Sequence, residues 1–216
     1  MQPFFLWMLS NGSYFLLISV GIALVRLRYL TGYLGFVGLF VGLAAVGELF
    51  SFLTARVLHI PNLYILHTYT ILEFNVIALF YHHFFARFYP RWLVPGLMAG
   101  FTVLAVLNSI FLQDLTHSNT YARSLESLLV IALALLCYYK VLTELPAKRL
   151  NHYPVFWINT GLLLYFASNI FFFMLSNALL KQPKQVSFMA WGLHALLMAL
   201  MHLFIGIGLW FSPRPR

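Results

Sequence analysis

Seven apolar runs, each of roughly 20 residues and separated by short polar punctuation, constrain this chain more than any other feature. A run of that length, coiled as a helix, crosses about 30 Å of hydrocarbon with every backbone N–H and C=O bonded inside its own segment. The runs fall at 8–26, 32–55, 63–86, 92–113, 120–141, 154–179 and 186–211. Between them, "IPN" at 60–62, "YPRW" at 89–92, "LPAKRLNHYP" at 145–154 and "KQPKQ" at 181–185 supply turn formers and charges. The pattern predicts an all-α, polytopic membrane protein: one seven-transmembrane-helix bundle over residues 1–216.

Composition excludes the water-soluble alternative. With 62% hydrophobic and 8% charged residues among 216, too few charges exist to cover a surface facing water. The 22 Phe, 12 Tyr and 5 Trp suit lipid, and Tyr and Trp favour its interfaces. The net charge of +8 arises from 13 Lys and Arg against five acids, and the bases lie mostly between the runs. They read as topology signals and as attraction to anionic lipid, not as a nucleic-acid footprint. One side of the membrane receives Arg26, Arg28, Arg87, Arg91, Lys140, Lys148, Arg149, Arg214 and Arg216; the other receives Arg56, Arg123, Lys181 and Lys184. The heavier side is expected to be cytoplasmic, which puts the N-terminus outside and the C-terminus in the cytoplasm. The first run has no base ahead of it and is followed by Arg26 and Arg28, an order expected of a retained span and not of a cleaved signal.

Two local features carry packing expectations. Asn11-Gly12-Ser13 reads as a turn or helix cap beside the membrane. In the second run Gly35, Gly38 and Gly42 form a small-residue stripe, expected to pack against a neighbouring helix of the bundle or, failing that, a second copy. Cys137 is the sole cysteine, so no internal disulfide framework or Cys-x-x-Cys site exists.

Three of the five acids, Glu48, Glu73 and Glu126, fall inside the runs. Charged residues in the hydrocarbon cost about 2.5–3.5 kcal/mol on insertion scales and usually face a bundle interior or a water-filled cavity. His67, Thr70 and Glu73 sweep an arc of about 120° on the third helix. Tyr165, Asn169 and Ser176 form a stripe on the sixth, and Ser187, Trp191, His194 and Met198 on the seventh. If these faces converge, a polar pocket opens outward between helices two, three, five, six and seven. Glu48 and Glu73 are its expected charged anchors, His67 and His194 its hydrogen-bonding or pH-responsive groups, and Tyr165 and Trp191 its aromatic wall. Asn169 and Glu126 complete the lining, although Arg123, three residues before Glu126, is expected to pair with it near the interface. Asn108, Asn159 and Asn169 also suit a role as interhelical glue.

These residues support three function classes. The leading expectation is a sensor-like or accessory membrane subunit that binds a small-molecule or lipid ligand and passes the change to a membrane or cytoplasmic partner protein. A small proton-coupled transporter is the second, because intramembrane carboxylates and histidines suit proton coupling. An intramembrane metal-dependent lipid hydrolase is the third, with Glu73 as base and His67 and His194 as ligands of zinc or iron; otherwise no cofactor is expected. Gly-x-Ser-x-Gly and phosphate-binding glycine loops are absent. Residues 186–211 contain no lysine, unlike the retinal-bearing last helix of rhodopsins, and the closely spaced C-terminal histidine pair of alkaline ceramidases and adiponectin receptors is missing. In general layout the chain is similar to the seven-helix membrane modules of bacterial signalling proteins, which implies a bacterial inner membrane.

Overall fold

The computed structural model describes residues 2–60, 63–115, 118–144, 149–179 and 183–213; of Gln2, Arg56 and residues 173–179 it describes the backbone alone. Lys148, Lys181, Arg214, Arg216 and the side chains of Arg56 and Ser176 therefore lie outside the described residues. Seven helices are long and apolar enough to cross a membrane: α1 (Pro3–Val25), α2 (Tyr33–Ala55), α3 (Leu63–Phe85), α4 (Leu93–Leu112), α5 (Thr120–Glu144), α6 (Pro154–Leu179) and α7 (Lys184–Trp210). No strand occurs among the described residues. The fold thus defines an integral membrane class by length and composition.

α1 starts earlier than its apolar run implied, because Asn11-Gly12-Ser13 does not stop it. Gly12–Phe15 tightens into a 3-10 turn between two α-helical halves, and the Asn11 amide donates back to the Trp7 carbonyl at 2.9 Å. The reason is the close passage of α1 over α7. A Cβ on Gly12 would sit 2.9 Å from that of Ala195, and one on Gly192 would overlap the Phe5 carbonyl. Glycine at these two crossings lets the backbones meet, and in lipid such contact is the main source of helix association.

The helices form a closed ring in the order α1, α2, α3, α5, α6, α7, with α1 packed along α7 to complete it. α4 stands outside this ring, against α3 and α5. The glycine stripe of α2 does not serve the ring. Its buried face is Leu34, Val37, Phe40, Val41 and Ala44, and at 100° per residue Gly35, Gly38 and Gly42 lie well around the helix from it. Gly35 and Gly38 meet only Leu30 of the preceding turn, and a Cβ on Gly42 would meet nothing within 4 Å.

One half of the ring is an apolar core in which Phe74, Phe80, Tyr81, Leu133, Ile158, Ile205 and Leu209 are buried. Asn159 ties this half together, accepting from Tyr81 at 2.8 Å and donating to the Ala134 carbonyl at 3.1 Å. Two cations close its end. Lys140 Nζ donates to the carbonyls of Phe84 and Phe85, the last two residues of α3, at 2.9 and 3.1 Å. Arg26 Nε donates to Ser212 Oγ at 3.2 Å, and another guanidinium nitrogen donates to the Ser212 carbonyl just past α7. Cations placed there satisfy helix-end carbonyls and favour the helix dipole. The other half of the ring holds Glu73, Glu126 and Arg123, all buried.

Candidate functional site

Helical spacing assembles the charged cluster. Arg123 and Glu126 are three residues apart on α5 and share a face, and Tyr69 and Glu73, four apart on α3, share the facing one. Arg123 Nη1 donates to Glu73 Oε2 at 2.5 Å and to Glu126 Oε2 at 3.2 Å. The Tyr69 hydroxyl donates to Glu73 Oε1 at 3.2 Å, and the guanidinium lies 5.5 Å from the centre of the Tyr69 ring. All three charged residues are buried, with exposures of 8% for Arg123, 2% for Glu73 and 0% for Glu126. Two carboxylates face one guanidinium, so the fully ionised cluster carries one surplus negative charge. Glu126 Oε1 is buried with no hydrogen-bond partner among the described residues. A proton, or a positive group from outside the chain, would balance the count.

A cavity of about 200 Å³ opens beside this cluster. Glu73 and Arg123 contribute its charged wall; Tyr69, Tyr165, His194 and His202 add rings. Leu16, Ala44, Met198 and Met201 make the apolar side, and Ser13, Glu48 and Ser51 also line it. Every helix of the ring contributes, and α4 does not. The α1 contribution follows from the Gly12 and Gly192 crossings, which draw α1 against α7.

Four of the expected pocket residues, Glu48, Glu73, Tyr165 and His194, line this cavity. Asn169, buried on α6, stands behind His194 with its Oδ1 2.8 Å from His194 Nδ1. Glu126 stands behind Arg123. Trp191 is 38% exposed and meets Phe172 edge-on at 4.7 Å, and Phe172 in turn stacks on His194 at 5.0 Å. His67 turns the other way: its Nδ1 is 2.7 Å from Ser109 Oγ on α4, outside the cavity lining. Thr70 follows it, accepting from the Asn119 amide at 2.7 Å. Only the Glu73 end of that arc faces the cavity.

The pairing of Arg123 with Glu126 expected from their spacing is present at 3.2 Å; what the sequence does not show is that the same buried guanidinium also holds Glu73, at the centre of the cluster. The readable signal was Arg123 and Glu126 together in the first turns of an apolar run. Tyr69 and His202 were also absent from the expected lining. Ser19 Oγ donates to the Leu16 carbonyl at 2.9 Å and lies 3.0 Å from His202 Nδ1. The Ser19 hydroxyl has one proton for these two acceptors; with it on the Leu16 carbonyl, His202 donates from Nδ1 and its Nε2 keeps the lone pair. The ring also stacks parallel to Phe40 at 6.5 Å.

The set expected for zinc or iron is not gathered. His67 points to α4 while Glu73 and His194 line the cavity, and among the described residues no three His, Cys, Asp or Glu side chains cluster at metal-binding distances. Comparison with family models, curated proteins and solved structures finds no match for the chain.

Proposed function

We propose that this protein is a ligand-binding membrane subunit of sensor-like or accessory type, whose small or lipid-like ligand occupies the cavity between α1, α2, α3, α5, α6 and α7. The observation that carries this reading is the 200 Å³ space set against a buried ion cluster. Neutral amides hold helices together in the apolar half, as Asn159 does. Buried charges beside open space are a costlier arrangement, and intramembrane ionisable groups usually mark a functional pathway. The volume is small beside ligand pockets of about 300–1,000 Å³, which suits a compact ligand. In this reading the N-terminus is outside and the C-terminus cytoplasmic, the host is a bacterial inner membrane, and the bound state is passed to a membrane or cytoplasmic partner.

Native mass spectrometry from a mild detergent tests the reading. Wild-type protein should retain an organic mass, and Ala44→Phe, which fills the apolar side of the cavity, should lose it. Identical bare spectra would sink the proposal. Proton-coupled transport is the second reading, favoured by the surplus carboxylate and the unpartnered Glu126 Oε1. It requires ligand uptake into proteoliposomes that collapses with the proton gradient.

A further inference from the structure

We propose that the cavity selects a small organic cation, an ammonium group carried on a short apolar body. This rests on the binding-cavity reading and adds the chemical class of ligand. Arg123 Nη1 donates to both Glu73 and Glu126, so the one Lys or Arg in the lining among the described residues is answered by two carboxylates. Glu48, a third carboxylate, lines the same cavity with no hydrogen-bond or ion-pair partner among the described residues. The fully ionised site therefore carries two surplus negative charges.

The neutral groups lean the same way. His202 is 3% exposed and commits Nδ1 to Ser19; in the tautomer that carries its proton on Nδ1, its Nε2, without a partner among the described residues, offers a lone pair. An acceptor of this kind waits for a donor. Tyr165 adds an aromatic ring to the lining, and aromatic rings attract an ammonium through their negative quadrupole; Tyr69 is already engaged by Arg123. A carboxylate or phosphate ligand would instead meet Glu48 and Glu73 and compete with them for Arg123. A neutral molecule would leave the surplus charge to be answered by protons alone.

Size and polarity define the rest of the ligand. Met198 and Met201 give an adaptable apolar wall with Leu16 and Ala44. At about 30 Å³ per water-sized atom, 200 Å³ holds about seven heavy atoms. A six-carbon primary amine has that size.

The test uses the full chain in phosphatidylcholine nanodiscs, with empty nanodiscs correcting for partition into lipid, and three probes of one length: hexylamine, hexanol and hexanoate. Hexylamine, protonated at neutral pH, should bind about tenfold more tightly than hexanol, the difference between a charged and a neutral hydrogen bond, and hexanoate should bind most weakly. Glu48→Gln should cut hexylamine affinity several-fold, up to about tenfold, and change hexanol affinity less. Glu48 is suited to this because it is exposed and unpartnered, so its replacement does not disturb the buried cluster. Hexanol or hexanoate binding as tightly as hexylamine would overturn charge selection while the binding cavity stood. If none of the three binds, the cavity reading falls with it.

Discussion

Arg123 decides whether two carboxylates can stay inside the bundle. Its removal leaves Glu73 and Glu126 without their shared donor, and breaking a buried pair in this way costs about 3–5 kcal/mol. Arg123→Met should therefore lower the unfolding free energy by that amount in mixed-micelle denaturation. Adding Glu73→Gln and Glu126→Gln should restore most of the loss, since the triple variant buries no unmatched charge. If the triple variant is no better than Arg123→Met, the ion cluster is not what holds this half together. The carboxylates were legible in the sequence because an acid within an apolar run is rare and expensive. The pairing of Arg123 with Glu126 was legible as well, from their three-residue spacing, but not that this guanidinium differs from one at the interface. What distinguishes it is a partner 50 positions earlier, and no local pattern encodes that distance. His67 illustrates the same limit: a 120° arc shows which residues share a face, but not where along it the neighbour changes from cavity to α4.

Helix against helix, the glycines sort into those that are pressed and those that are not. Gly192→Ala places a methyl on the Phe5 carbonyl and should cost about 1–3 kcal/mol, as overpacking does. Gly42→Ala meets open space and should stay within about 0.5 kcal/mol. The same denaturation assay compares them, and equal effects would contradict the crossing of α1 over α7. The spans themselves were readable, because a hydropathy run reports length and apolarity directly. That the second span's glycine stripe faces away from the ring was not legible, because spacing shows that small residues align, whereas the buried face is set by which neighbours arrive. Likewise Asn11-Gly12-Ser13 carries turn chemistry, yet Gly12 answers to Ala195, which comes far later in the chain.

For the molecule as a whole, the proposed orientation puts the segment before α7 outside and the α3–α4 connection in the cytoplasm. A membrane-impermeant maleimide should label Lys184→Cys on intact cells and Arg91→Cys only after permeabilisation. The fully buried native Cys137 thiol stays silent in both. The opposite pattern would reverse the topology. Seven spans and their order along the chain were legible, but the ring was not, since α3 meets α5 while α4, which lies between them in sequence, is left on the outside. That arrangement sets a timetable for synthesis. Glu73 and Arg123 are 50 positions apart, and at about 5–20 residues per second a ribosome takes roughly 3–10 s to cover the interval. Throughout it Glu73 has been delivered without its guanidinium, α4 has emerged with no place in the ring, and the position beside α3 must be kept open for a helix still being made.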